Sequence, residues 1–370
     1  MTTRYPCAIL GASGLVAQRL QQRLTTHPWF TLCAVVGSSE SAGSNLSDLP
    51  WRLEESRPTL PNIVVLDSDD PNLISQLQNE KIQFIFSAVP NSVASVLEVE
   101  LAEAGFHVFS NAAYHRCTDG IPLIVADLNP HHLLHYKMQQ WSGSLACSTN
   151  CTVIPIAMPL KPLWDMVGFK HVSITTEQAL SGAGWRLLSS QEARDGNVDP
   201  NIEGEAEKIT EELLHLFGRV TPTGVQPAGF SIAITCNRVA QIDGHLVHVE
   251  VHLSRPVDLT EIKEWLLAQS DRPQHLGLPS APVTSLTIID ECPTRDEHLW
   301  MGAKFEPTIG TNVDPGNDLT AGMGVTVGAL ELIDSTTLRF SALSHNTIRG
   351  AAGGCVMLAE LALAEDVLKI

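Results

Sequence analysis

Over the first 150 residues, short apolar runs alternate with stretches of helical periodicity. Cys7-Ala8-Ile9-Leu10 is an unbroken apolar run that reads as a buried strand. Val16, Leu20 and Leu24 follow at four-residue spacing, which stacks them on one helical face. Further strands are expected at Leu32 to Val36, Ile63 to Leu66, Ile82 to Phe86 and Phe106 to Phe109, with a helix over Asn91 to Ala104. Strands separated by helices in this order predict a parallel, doubly wound sheet.

From about Cys151 the texture changes. Val247, Val249, Val251 and Leu253 alternate with polar residues and so share one face of a strand. Leu259, Ile262 and Leu266 place a helix over Asp258 to Ser270, and Val325 to Leu332 and Leu338 to Ala342 predict late strands. The segment from Asn346 to Ile370, rich in Ala and Leu, predicts a long helix packed back on the first domain. Asp290 to Gly322 is polar, holds Pro and Gly, lacks periodicity, and reads as an insertion or mobile cover.

A length of 370 residues exceeds one ordinary core, in keeping with two domains. With 23 basic against 41 acidic residues the formal charge is −18, which disfavours nucleic acid and anionic lipid surfaces as partners. No apolar run reaches the roughly 18 residues of a membrane span, and Met1 to Leu10 lacks the charged-then-apolar layout of an export signal. A cytoplasmic protein is expected. Eight Cys are scattered without a paired zinc spacing, so they read as reduced thiols, and no metal site is indicated.

Gly11-Ala12-Ser13-Gly14-Leu15-Val16-Ala17 sits between the first strand and the first helix. Small residues there let the backbone approach a dinucleotide pyrophosphate, and the first helical amides face the anion, with Ala17 in the packing position of the third glycine. These features predict a Rossmann-type dinucleotide-binding domain over residues 1–150, completed by 346–370, and an α+β domain over 151–345. After the second strand, Ser38, Ser39 and Ser41 offer hydroxyls to a ribose phosphate, whereas Glu40 repels one; a solvated serine turn is the alternative.

Ser148-Thr149-Asn150-Cys151-Thr152 precedes an apolar stretch that can begin a helix despite Pro155. A thiol at a helix start has its thiolate stabilised by unpaired amides, although a buried inert Cys fits the same pattern. Such a nucleophile needs a proton acceptor and donor, and His245, after the Asp243-Gly244 turn, is placed to project from a strand end. His248 and His252 fall on the polar face of that strand and read as solvated or interface residues; His27, His131 and His132 read as surface residues.

The chain resembles the aspartate-β-semialdehyde dehydrogenase family, in its archaeal and fungal branch. The likeness runs through the glycine turn, His27-Pro28-Trp29-Phe30, Ser110 to Arg116, Asn150-Cys151-Thr152, Thr176 to Gly184, Gly204 to Ile209, Arg238 to His245, and Asn346 to Gly353. It implies Cys151 as nucleophile, His245 as acid/base and Gln178 as the residue orienting the reacting group. It implies Arg116, helped by Lys208, for phosphate, Arg238 for the substrate carboxylate, Glu205 for its ammonium, with Glu203 and Glu207 as alternatives in that role, and Asn150 in the substrate site. Gly11, Ser13, Gly14, Leu15, Val16, Ser38, Ser39, Ser41, Ser181, Gly182 and Asn346 would meet the cofactor.

The implied reaction is the reversible NAD(P)H-dependent reductive dephosphorylation of L-4-aspartyl phosphate to L-aspartate 4-semialdehyde through a cysteine thioester, a step of lysine, threonine and methionine synthesis. The implied partners are the small-molecule substrate and phosphate, with assembly as a homodimer or homotetramer. The chain departs from the branch at Ser38 to Ser44, where Glu40 and Ser44 replace two cations, so NAD competes with the NADP that the family leads one to expect. Ala240 replaces a proline, which would loosen the loop holding Arg238. An acyl-coenzyme A reductase of malonyl-CoA type and a non-catalytic redox sensor are the alternatives. Glu205 with Arg238 favours an amino-acid substrate over a malonyl group.

Overall fold

The computed structural model describes residues 4–268, 272–304 and 313–370. Strands β1 (Tyr5–Leu10), β2 (Phe30–Gly37), β3 (Leu66–Asp67), β4 (Phe84–Ser87), β5 (His107–Ser110) and β6 (Ser144–Cys147) form a parallel sheet in the order β3-β2-β1-β4-β5-β6. Helices α1 (Leu15–Thr25), α2 (Leu73–Asn79) and α3 (Asn91–Glu103) connect them. The order reverses between β1 and β4, which opens a crevice at the carboxyl ends of the strands. The third strand lies later than its apolar run: Ile63 and Val65 are buried, but Val64 makes only an isolated bridge to Asn45, so the run marks burial rather than a ladder.

One face of this sheet carries Phe30, Phe84, Phe86 and Phe109, whose rings meet at centroid distances of 5.0 to 6.1 Å. Against it lies the Gly353–Ala364 helix, with Cys355, Val356, Leu358, Ala359 and Ala362 buried in the same core. The expected helix over 346–370 is thus shorter. A wide turn at Ile348–Ala352 precedes it, and Asn346 stands in the loop before that turn. Glu360 is fully buried on this apolar helix and is held by His27 Nε2 at 2.8 Å and by the Ser280 amide and hydroxyl. That need for a partner puts His27 in the core rather than at the surface.

The second sheet follows α4 (Val153–Met166), whose Pro155 occupies the first turn, where a missing N–H is harmless. Its strands are β7 (Phe169–Gln178), β10 (Ser231–Arg238), β11 (His245–Leu253), β12 (Leu286–Ile288), β13 (Val325–Leu332) and β14 (Thr337–Ser344), in the order β10-β7-β11-β14-β13-β12. A small hairpin, β8 (Arg219–Thr221) and β9 (Gly224–Gln226), stands apart. Val247, Val249, Val251 and Leu253 all face the core, as the alternation predicts, while His248 and His252 lie on the outer face. The helix after it is Leu259–Leu267, begun by a reciprocal cap between Asp258 and Glu261; the end expected at Ser270 lies outside the described residues.

Of Asp290 to Gly322, residues 305–312 lie outside the described residues. Within the described remainder, Leu319 and Ala321 are buried and Arg295 bonds to Glu177 O at the end of β7 and to Gly244 O just before β11. His132 is also a correction, being fully buried with its ring centroid 4.6 Å from His131 and 6.1 Å from both His135 and His215. Burial first, then the neighbouring histidines, push His132 down to about 3 and His215 down to about 4. Because the unfolded chain takes up these protons near pH 6.5, stability is full above that pH and is lost as pH falls toward 4 and then 3. The urea midpoint is expected to drop steadily between pH 7 and pH 4, and His132→Asn, which cannot titrate, to flatten that slope.

Candidate active site

Cys151 lies in the turn just ahead of α4, shaped by Asn150, whose Oδ1 accepts from the Thr152 amide at 2.8 Å. Gly350 presses on it from the other side: a Cβ there would fall 2.7 Å from Cys151 Cβ. His245 opens β11, and its Nε2 is 3.2 Å from Cys151 Sγ. The Ala179 amide donates to His245 Nδ1 at 3.1 Å. Nδ1 therefore carries no proton, and the single proton of the neutral ring sits on Nε2, facing sulfur. Burial first, then Arg238 and Arg295, hold the imidazolium well below its usual range, which keeps the ring neutral. His245 is thus a hydrogen-bond donor to Cys151 rather than an acceptor of the thiol proton.

The thiol is not ionised by its helix. Burial, reinforced by Glu205, pushes Cys151 up to about 11, against the pull of Arg116 and Arg238. The sulfur stands one residue outside the helix cap, Thr152, so the expected dipole effect is outweighed by desolvation.

Two arginines flank the thiol. Arg116 donates to Glu212 Oε1 and to Asn111 O, each at 2.8 Å, while its Nε is buried without a partner. Glu212 Oε2 in turn accepts from the Asn150 amide at 2.6 Å, and Asn150 Nδ2 donates to Glu205 Oε1 at 2.9 Å. Glu205 and Glu212 lie on the Glu205–Leu216 helix, two turns apart and therefore on one face. Glu203 and Glu207 are exposed, so Glu205 is the carboxylate of the three that bonds Asn150. Burial works against the charge of Arg116, but Glu212 beside it prevails and holds it on. Lys208 is exposed and lines the same shallow cleft as Tyr114 and Arg116.

Arg238 Nη1 donates to Ala179 O at 2.7 Å, and the residue pairs with Gln178 across β10 and β7. Gln178 is buried, with a long 3.4 Å contact from Nε2 to Thr176 Oγ1. Ala240 does not loosen this loop, because the Val239 amide bonds Gln178 O, the Gln241 amide bonds Val239 O, and the Leu180 amide bonds Gln241 O. Gly182 lies over both groups: a Cβ there would stand 3.1 Å from Arg238 Nη1 and from His245 Nε2. Ser181 Oγ donates to Asp243 Oδ1 at 2.6 Å, and Asn346 Nδ2 donates to Ser181 Oγ at 2.8 Å. The Gly244 amide donates to Asn346 Oδ1 at 2.8 Å, so Ser181, Gly182 and Asn346 converge beside His245.

The dinucleotide turn fits its expected guest. Gly11 has φ +103°, and a Cβ there would meet Ala88 O at 3.0 Å. Gly14 caps the eleven-residue α1 with open space around it, and Leu15 and Val16 supply the first helical amides beside Ser13. Ser38, Ser39 and Glu40 are exposed after β2, and Ser41 Oγ donates back to Ser38 O at 3.0 Å. Arg52 adds a cation unread in the sequence, donating to Ser13 O at 3.1 Å and lying 5.4 Å over the Trp185 ring. Glu212 and Gly350 were also missed; the seven-residue step from Glu205 is the signal that finds the first.

The family model for the semialdehyde dehydrogenase NAD binding domain matches residues 6–136, and that for the semialdehyde dehydrogenase dimerisation domain matches residues 160–349. An Archaeoglobus fulgidus protein named aspartate-semialdehyde dehydrogenase is 34% identical over 99% of this chain and 100% of its own length. This chain belongs to the aspartate-semialdehyde dehydrogenase family. The crystal structure of the Candida albicans enzyme of this family, solved with NADP, superposes with a TM-score of 0.81 at 29% identity, covering 99% of this chain and 100% of that one. A Metallosphaera sedula protein named malonyl CoA reductase (NADP) is 31% identical over 98% of this chain and 97% of its own length. As a family member the chain is an oxidoreductase with a nicotinamide dinucleotide domain, NADP being the family expectation, and it carries the family's dimerisation domain. Among the described residues, no helix is long and apolar enough to cross a membrane, and no cluster of metal-binding side chains occurs.

Proposed function

We propose that this chain catalyses the reversible reductive dephosphorylation of L-4-aspartyl phosphate to L-aspartate 4-semialdehyde. The contact of 3.2 Å between Cys151 Sγ and a proton-bearing His245 Nε2, flanked by Arg116 and Arg238, carries this reading. Cys151, its thiol proton released to water, attacks the acyl carbon, the carbon–oxygen bond to phosphate breaks with both electrons leaving on the phosphate oxygen, and a thioester remains on sulfur. Arg116 and Lys208 receive the departing phosphate, Arg238 grips the substrate carboxylate through its planar fork, and Glu205 meets the ammonium. When bound, the nicotinamide supplies the hydride that reduces the thioester carbon. The Nε2–H of His245 donates to the oxygen or sulfur that gathers negative charge, and holds the thiolate as the thiohemiacetal collapses to aldehyde. Gln178, buried at the end of β7, orients the reacting group.

The domain division follows the same reading: residues 1–150 with 346–370 hold the cofactor, through Gly11 to Val16, Ser38, Ser39, Ser41, Ser181, Gly182 and Asn346, and residues 151–345 hold the chemistry and the subunit contact. The assembly would be a homodimer or homotetramer in the cytoplasm. The Metallosphaera relative keeps malonyl-CoA reduction as the second reading, against which the Asn150-bonded Glu205 stands, since a malonyl group has no ammonium to meet it.

A steady-state assay with aspartate semialdehyde and phosphate, run separately with NADP and NAD, tests the proposal. Turnover that requires phosphate is expected; turnover only with malonate semialdehyde and coenzyme A would overturn it. Exposed Glu40 predicts that NAD supports turnover within about tenfold of NADP, since a carboxylate repels the extra phosphate.

A further inference from the structure

We propose that Arg295 is a positioning residue for this reaction, a guanidinium that extends the pairing of β7 with β11 by one rung and so fixes where Gln178 and His245 stand. The inference rests on the roles given above to those two residues. The antiparallel ladder between β7 and β11 pairs Glu177 with Leu246 at the site end of the sheet. Gln178 and His245 are the next residues on each strand. Arg295, from a one-turn helix at Arg295–His298, reaches across this end. Its Nε donates to Gly244 O at 2.9 Å and its Nη2 donates to Glu177 O at 3.1 Å, so one planar group binds the carbonyl just before each site residue. Both Nη atoms also lie 3.3 Å from Glu177 Oε2.

Gly244, the residue before His245, is thereby held at both of its backbone groups, its carbonyl by Arg295 and its own amide, which donates to Asn346 Oδ1 at 2.8 Å. Gly244, at φ +93°, lets this segment close in: a Cβ there would stand 3.0 Å from Leu299 Cδ1 and 3.2 Å from Arg295 Cγ. The side chain is only 15% exposed, unlike an ordinary surface ion pair. Lysine cannot replace it fully, because a single ammonium does not reach two divergent carbonyls with the geometry of a fixed fork.

The test compares R295Q, R295K and E177Q in the full chain. For R295Q, kcat is expected to fall by about tenfold to a hundredfold, as misplacement of a catalytic group does. KM values for semialdehyde and phosphate should stay within about threefold, since ground-state binding is untouched. R295K should fall between, and it decides the case alone if R295Q does not fold. E177Q keeps both carbonyls and should retain kcat within about threefold; an E177Q loss equal to that of R295Q would reduce Arg295 to an ion-pair partner and overturn the proposal, as would unchanged kcat in R295Q.

A second readout needs no substrate: the rate of Cys151 alkylation by iodoacetamide, followed by mass spectrometry of its peptide, should be lower in R295Q at each pH from about 7 to 9, because the imidazole no longer faces the sulfur. Equal alkylation profiles would overturn the proposal. If the wild-type chain turns over none of the substrates above, the functional reading fails while the alkylation contrast still decides the role of Arg295.

Discussion

Cys151→Ala is expected to lower turnover by at least about 10⁴-fold, because the acyl group then has no atom to occupy between phosphate loss and reduction. The measurement is direct. Enzyme mixed with aspartate semialdehyde and the oxidised dinucleotide without phosphate, then quenched in acid, should carry the acyl mass on the peptide containing Cys151 in the wild type and lack it in the variant. Removing one sulfur beside Gly350 creates little strain, so the fold should persist and the dinucleotide should bind with unchanged affinity, which separates lost chemistry from lost structure. Acyl transfer by the variant at the wild-type rate would refute the proposed mechanism.

His245→Ala comes second, with an expected fall in kcat of about 10²- to 10⁴-fold, the range for removal of a positioned proton donor. The pH dependence carries more information than the magnitude. Burial first, then Arg238 and Arg295, hold His245 well below its usual range, so alkylation of wild-type Cys151 should rise with pH toward a single ionisation near the thiol value of about 11. In His245→Ala that ionisation should move higher, as the thiolate loses a donor. A clear second ionisation between pH 6 and 7 in the wild type would show the imidazole exchanging a proton with the thiol, contrary to the arrangement at Ala179.

Much of this was legible in the sequence because the relevant physics is local. The turn from Gly11 to Ala17 declares itself through a strand, small residues and a four-residue repeat, and the alternation from Val247 to Leu253 declares the face on which His248 and His252 are excluded from the core. Cys151 and His245 were identifiable as residues, yet their relation was not. The state of the thiol depends on how far desolvation by the folded chain exceeds the help of Arg116 and Arg238, and no spacing encodes that sum.

His27 illustrates the same limit from the other side. It reads as a surface residue until the Gly353–Ala364 helix places Glu360, more than three hundred positions later, against it. Arg295 lies in a stretch without periodicity, and its meaning comes only from the two strand ends that meet beneath it.

The proton on His245 is assigned by an amide of the main chain rather than by a carboxylate side chain. Ordinary substitutions at position 179 leave that N–H where it is, so drift in neighbouring side chains cannot flip the tautomer. Only proline, which lacks the hydrogen, would erase the assignment. The chemical identity of the ring is therefore inherited from the path of the chain, and changes as slowly as the fold does.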